Sequence, residues 1–286
     1  MAADKIQTVG IIGAGTMGQG IAQICATYGY AVLLFDIDAG FLKKGVSNIE
    51  SALQLSVDKG KLSANQKQEA LNRIKSCKHL EQVKADLIIE AAIEKLDVKR
   101  EIFKTLENSN SPDSILATNT SSIPVTQIAS VLKNPNRFAG LHFFNPAHIM
   151  KLVEVISGVA TSAETLEQLR TFSEKLGKTP ISVKDSPGFV VNRVARHYYV
   201  ETLKILEENV TDIKTIDTLL RSTGFKMGAF ELMDLIGVDT NFSVTASMYN
   251  AFHQDGKFRP SRIQQQKVDA GHLGQKSGKG FYDYNK

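Results

Sequence analysis

One short stretch limits what this chain can become: Gly13-Ala14-Gly15-Thr16-Met17-Gly18, set between an apolar run from Ile6 to Ile12 and a segment with Ile21, Ile24, Cys25 and Tyr28 at helical spacing. A strand that turns through three spaced glycines into a helix has a specific physical use. Gly13 allows the tight turn, Gly15 lets a diphosphate approach the backbone, and Gly18 lets helix and strand pack closely. The helix N-terminus then stabilises the phosphate charge, with Thr16 and Met17 as its first residues. A second apolar run, Ala31 to Phe35, ends in Asp36, about 20 residues past the turn, where a carboxylate accepts hydrogen bonds from ribose hydroxyls. That carboxylate repels a 2′-phosphate, and Ile37-Asp38-Ala39 offers no arginine to receive one. The reading is NAD rather than NADP.

Further apolar runs alternate with helical spacing, as in a doubly wound α/β sheet. Residues 39 to 76 interrupt the alternation. Leu42, Val46, Ile49, Leu53 and Val57 keep helical spacing, and Ser63-x-x-Gln66 opens a second helix to about Lys75, giving a hairpin that projects from the sheet. Its Lys43, Lys44, Lys59, Lys61 and Lys67 are either a solvated face or phosphate contacts. Strands follow at Asp86 to Glu90, which leads through Ala91-Ala92-Ile93-Glu94 into a helix through Lys99 and Phe103, at Ser114 to Thr118, which leads to a polar turn, and at Phe138 to His142. Strand ends of an open α/β sheet are where ligands bind. The Asn119-Thr120-Ser121-Ser122 turn and His142 therefore share the crevice of the glycine turn, although Ser121 or Ser122 can equally cap the helix opened by Pro124. Glu154 sits in the next apolar run, and neighbouring strands bring it to His142. A carboxylate on one ring nitrogen fixes the tautomer and leaves the other free to move a proton. A buried histidine satisfied by a structural glutamate is the plainer alternative.

After a strand near Ile181 to Val183, Pro187-Gly188 punctuates the chain and helical spacing continues to the C-terminus. The first of these helices presents Val191, Val194, Ala195, Tyr198 and Ile205, with Asn192 as a polar exception that serves either as a cap or as a ligand contact. The boundary falls near Lys184, giving a Rossmann-type domain at 1–184 and an all-α domain at 185–286. The net charge of +4 is mild, and no Lys/Arg run argues for nucleic acid. No window approaches the ~18 apolar residues of a membrane span, and the N-terminus lacks a secretory pattern. Cys25 and Cys77, the only cysteines, form neither a disulfide nor a zinc motif, so no metal is expected and the cytoplasm is the expected compartment.

Four separated stretches together resemble the L-3-hydroxyacyl-CoA dehydrogenase family, its short bacterial 3-hydroxybutyryl-CoA members most of all. They are Gly10-Ile-Ile-Gly-Ala-Gly-Thr-Met-Gly, Ala117-Thr-Asn-Thr-Ser-Ser, Leu141-His-Phe-Phe-Asn-Pro and Asp185-Ser-Pro-Gly-Phe-Val-Val-Asn-Arg. The likeness continues through Gly224-Phe-Lys-Met-Gly-Ala-Phe-Glu-Leu-Met-Asp, where Ala229 stands in place of a common proline, to the terminal Lys276-Ser-Gly-Lys-Gly-Phe-Tyr-Asp-Tyr. The resemblance implies a catalytic His142 with Glu154 as its partner, and substrate contacts from Ser121, Asn145 and Asn192. It implies NAD contacts from Gly13, Gly15, Thr16, Met17, Gly18, Asp36, Glu94, Lys99 and Asn119, and an acyl-CoA thioester as substrate. It also implies a homodimer through the C-terminal domain, where Phe225, Met227, Phe230, Leu232, Met233, Leu235 and Ile236 crowd together. Two rival readings are a dehydrogenase of another hydroxy acid on the same fold, dicarboxylic 3-hydroxyadipyl-CoA or a free sugar acid, and an NAD-binding protein without turnover.

Overall fold

The computed structural model describes residues 6–285, which fall into two compact units divided between Ser186 and Pro187. In the first unit, β1 (Thr8–Ile12), β2 (Ala31–Phe35), β3 (Ile74–Cys77), β4 (Leu87–Glu90), β5 (Ile115–Thr118), β6 (Phe138–Phe143), β7 (Leu152–Ser157) and β8 (Thr179–Lys184) form one sheet. Its order is β3-β2-β1-β4-β5-β6-β7-β8. The first six strands run parallel and β7 turns antiparallel to β6. The strand order reverses between β1 and β4, the topological switch point of a doubly wound nucleotide-binding sheet. Strands β4, β5 and β6 are buried at every position, because helices cover both faces of a parallel sheet and leave no solvated side for polar alternation.

The flanking helices are α1 (Thr16–Thr27), α2 (Ala39–Asp58), α3 (Ala64–Arg73), α4 (Leu96–Ser109), α5 (Val125–Ala129) and α6 (Ala163–Lys175). In α1, Ile21, Ile24 and Cys25 are buried, but Tyr28 is not part of that face; it caps the helix and is half exposed. The hairpin of α2 and α3 does not stand away from the body. Leu42, Ile49, Leu53 and Ala70 join the main core with the residues of α1, since a stripe of that size is stable only when covered. The Ser63–Gln66 capping box forms as the sequence indicates. The helix it opens ends at Arg73, and Ile74–Cys77 becomes the edge strand β3. That strand is too short and too polar to read by alternation. Helix α6 also lies outside the sequence reading, although Ser162 caps it and Leu169 and Phe172 face the core.

The second unit is helical: α7 (Val191–Glu207), α8 (Ile213–Ser222), α9 (Ala229–Ile236), α10 (Val238–Ala251) and α11 (Arg262–Asp269). The stripe expected on α7 is borne out in part: Ala195, Tyr198 and Ile205 pack partly against the core. Tyr199, Val200 and Leu203 are buried while Val194 is exposed. Two buried carboxylates fasten this unit. Asp217 accepts from Phe230 N and Glu231 N, both at 3.0 Å, at the start of α9. Asp234 accepts from Phe281 N and Tyr282 N, both at 2.9 Å, which anchors the C-terminal segment. Phe230 and Met233 belong to the unit's own core and are fully buried. Exposed apolar residues of this unit include Leu219, Phe225, Leu235 and Ile236, along with Val190, Val194 and Val210.

Gly18 and Gly15 make a direct test of the glycine turn. A Cβ on Gly18 would lie 1.8 Å from Gly13 O, whereas one on Gly15 would meet nothing within 4 Å. Gly18→Ala should therefore cost about 1–3 kcal/mol or more of stability through overpacking. Gly15→Ala, at φ −73°, should leave the thermal midpoint unchanged. Differential scanning calorimetry of the two variants checks the contrast.

Candidate active site

Because β1, β2, β4, β5 and β6 run parallel, their carboxyl ends share one edge of the sheet, and every polar turn named from the sequence in this unit lies along it. At β1, Gly13 takes φ +103° and donates its N–H to Phe35 O at 2.8 Å. A side chain there would strike Ala91 O at 2.6 Å. Gly13 and Gly18 are thus required by the fold itself, but Gly15 is not, because the space above it is open. Its side-chain-free backbone suits a ligand that approaches closely. It is also the N-cap of α1 and supplies no capping side chain, with no acid in the first turn to occupy the helix end. Thr16 is exposed beside it, while Met17 packs partly into the core. Asp36, at the end of β2, is drawn toward the turn: one oxygen accepts from Ala14 N at 2.7 Å and the other from Asp38 N at 3.0 Å. A diphosphate and ribose fit this cradle.

At β6 the antiparallel ladder sets His142 directly opposite Glu154. Cross-strand neighbours lie within side-chain reach on one face of the sheet, and here His142 Nδ1 and Glu154 Oε2 are 2.7 Å apart. Glu154 is wholly buried and His142 is 5% exposed. The carboxylate makes Nδ1 the protonated nitrogen, so Nε2 carries the lone pair and accepts from the Ser121 hydroxyl at 3.2 Å. Phe144 lies against the ring, centroid to centroid 4.6 Å. A proton-accepting nitrogen, oriented from behind and hydrogen-bonded in front, is what a general base needs.

Ser121 is delivered by a polar network that the sequence reading does not contain. Glu90, buried at the end of β4, accepts from Lys99 Nζ at 2.6 Å, Thr118 Oγ1 at 2.7 Å and Ala92 N at 2.7 Å. Lys99 also reaches Glu94 at 3.2 Å. One oxygen of Glu94 accepts from Thr120 Oγ1 at 2.5 Å, Ser121 N at 3.0 Å and Ser122 N at 3.2 Å. Partial burial would push the Glu94 carboxyl up, but the Lys99 ammonium and these donors together hold it below the ordinary range. Asn119 completes the turn by accepting from Phe143 N at 2.8 Å, which ties it to the strand carrying His142. Glu94, Lys99 and Asn119 were expected as cofactor contacts; in this chain they also build the turn. The signal for Glu90 was present in Leu87-Ile-Ile-Glu, since an acid ending a fully apolar strand must find a cation or several hydrogen-bond donors.

Asn145 is exposed on the loop after β6. There it lines a cavity of about 160 Å³ with Thr16, Gln19, Asn48, Ala147 and His148. Asn192 belongs to the second unit, on the first turn of α7, and is half buried. Lys43, Lys44, Lys59 and Lys61 are exposed on the hairpin, and Lys67 donates to Gln54 at 2.8 Å. Among the described residues there is no cluster of metal-ligating side chains and no helix long and apolar enough to cross a membrane.

Two family models match the chain: "3-hydroxyacyl-CoA dehydrogenase, NAD binding domain" over residues 8–186 and "3-hydroxyacyl-CoA dehydrogenase, C-terminal domain" over residues 188–284. The chain is 50% identical over 98% of its length to the 3-hydroxyadipyl-CoA dehydrogenase of Escherichia coli, of which it spans only 59%. It is 40% identical to the probable 3-hydroxybutyryl-CoA dehydrogenase of Bacillus subtilis, and 98% of each chain is covered. The crystal structure of (S)-3-hydroxybutyryl-CoA dehydrogenase from Ralstonia eutropha superposes with a TM-score of 0.95 at 42% identity, covering 98% of this chain and 100% of that one.

The buried Glu90–Lys99 pair generates a double-mutant prediction. Lys99→Met leaves Glu90 buried without its cation and should cost about 3–5 kcal/mol. Adding Glu90→Gln removes the orphaned charge and should recover much of that loss. Urea unfolding of the two single variants and the double variant measures the coupling.

Proposed function

This chain belongs to the 3-hydroxyacyl-CoA dehydrogenase family, and from that premise we propose that it interconverts an L-3-hydroxyacyl-CoA and its 3-oxoacyl-CoA with NAD. We take short-chain thioesters such as 3-hydroxybutyryl-CoA as its substrates. The observation that carries this reading is the buried His142–Glu154 pair at 2.7 Å, with Ser121 on the opposite ring nitrogen, on the sheet edge that also bears the glycine turn.

NAD is the cofactor; Gly13, Gly15 and Gly18 would hold it, and it would supply the acceptor or donor of the C3 hydride. Thr16, Met17, Asp36, Glu94, Lys99 and Asn119 complete its proposed contacts. The chain's residues manage the proton. Loss of hydride from C3 with the hydroxyl intact would leave a protonated ketone, so the hydroxyl proton must move as well. His142 Nε2 accepts it in oxidation, and Glu154 stabilises the positive charge the ring then carries. In reduction the protonated ring gives the proton back to the carbonyl oxygen. Ser121 and Asn192 hold and polarise the reacting oxygen or the thioester carbonyl, and Asn145 contacts the substrate from its loop. The second unit is proposed as the substrate and dimerisation domain, with Leu219, Phe225, Leu235 and Ile236, exposed in the single chain, as the surface a second copy covers. Cys25 and Cys77 are both unpaired and buried, which suits action in the cytoplasm.

The test is NADH oxidation against 3-oxoacyl-CoA substrates from four-carbon to dicarboxylic. His142→Ala should lower turnover by about 10²–10⁴-fold while NADH affinity stays nearly intact; activity within a few-fold of the parent would overturn the general-base role. For assembly, light scattering during size exclusion should give a dimer mass. Phe225→Asp combined with Leu235→Asp should shift it to the monomer. Phe230 and Met233 are unsuitable probes, because they are core residues of the unit.

A further inference from the structure

The loop formed by residues 144–151 joins the strand of His142 to the strand of Glu154, and a lysine outside the catalytic set holds it from within. Lys178 precedes β8 and is 7% exposed. Its Nζ donates to two carbonyls of that loop, Ala147 O at 2.6 Å and Met150 O at 2.7 Å. No carboxylate among the described residues pairs with it. Burial pushes the ammonium below the usual lysine range, with Cys25 on α1 acting the other way. A buried cation without a counter-ion is costly unless oriented dipoles replace its water. Lysine and loop are therefore coupled: the charge is tolerated only while both carbonyls point inward. The loop is seated as well as clamped. Ala147 is buried against Gly20 of α1, where an added Cβ would come within 3.0 Å of the Ala147 Cβ. Ile149 N and Met150 N both donate to Pro146 O at 2.9 Å. The outward members of the same loop, Asn145 and His148, line the cavity beside Thr16 and Asn48.

We propose that Lys178 is a positioning residue for the substrate: by holding the carbonyls of Ala147 and Met150 inward, it keeps Asn145 and His148 turned toward the acyl-CoA thioester. The inference rests on the dehydrogenase reading and on Asn145 as a substrate contact. His142 and Glu154 are fixed by the β6–β7 ladder, and Phe144, which lies against the His142 ring, precedes the clamped carbonyls of Ala147 and Met150, so the clamp governs binding and not proton transfer. A plain packing lysine would affect stability alone.

Steady-state kinetics of Lys178→Met separates these roles. The variant should raise KM for the 3-oxoacyl-CoA by about ten- to hundredfold, the scale on which a displaced contact acts, with kcat and the Kd for NADH within a few-fold of the parent. Asn145→Ala, an exposed change, should raise KM by itself, and Lys178→Met should add little on top of it. Where Lys178→Met does not fold, Lys178→Gln, one bond shorter and so able to hold at most one of the two carbonyls, takes its place with a smaller rise in KM and the same constant kcat. Unchanged KM with a lowered thermal midpoint, or a fall in kcat at constant KM, overturns the inference. A parent protein that turns over no 3-oxoacyl-CoA overturns the dehydrogenase reading itself, whereas parent turnover with unaltered variant KM removes only the role of Lys178.

Discussion

The first unit depends on a register. Strand β7 runs antiparallel to β6, and the ladder between them sets His142 against Glu154. With a side-chain period of 2, a slip of one residue would send Glu154 to the opposite face of the sheet and leave a carboxylate in the core without its partner. The apolar residues on either side, Leu141, Phe143, Val153 and Val155, are all buried and specify the same register through packing. Core formation and assembly of the His142–Glu154 pair are therefore one event. The pair is held by the sheet itself, and the loop beyond it is held separately.

A second layer of support stands behind that pair. Ionising Glu90 and Lys99 in the interior carries a desolvation cost of several kcal/mol per ion, and a pair of apolar residues would avoid it. What the ions provide is direction. Glu90 holds Lys99, Lys99 holds Glu94, and Glu94 gathers Thr120, Ser121 and Ser122 into one turn. Ser121 meets His142 because three carboxylate-centred contacts leave the turn few other shapes. Lys178 works on the neighbouring loop by the same physics, with carbonyl dipoles in place of a carboxylate.

The second unit shows where patterning alone misleads. Phe230 and Met233 read as surplus apolar residues in a small helical domain, yet Asp217 and Asp234 draw α9 and the C-terminal segment together and bury both. Val194 read as part of the inner face of α7, yet it is exposed, and the helix is turned so that Tyr199 and Leu203 are buried. In each case more apolar residues were available than the core takes, and the packing partner chose among them.

The sequence by itself determined the glycine turn, the alternation of strand and helix, the order of the polar turns along one sheet edge, and the pairing of His142 with Glu154. All of these follow from local periodicity and from residues whose chemistry has few alternatives. Gly13 and Gly18 are there because nothing larger fits, and Asp36 closes a strand beside the glycine turn, where it accepts from Ala14 N. The tertiary structure decided the rest: the edge strand β3, the hairpin's burial against α1, the partners of Glu90, and the inward reach of Lys178. None of these leaves a periodic trace, because each depends on groups far apart in the chain whose meeting is fixed only when the sheet and its helices pack. A buried charge announces that it needs a partner; only the fold says which one it finds.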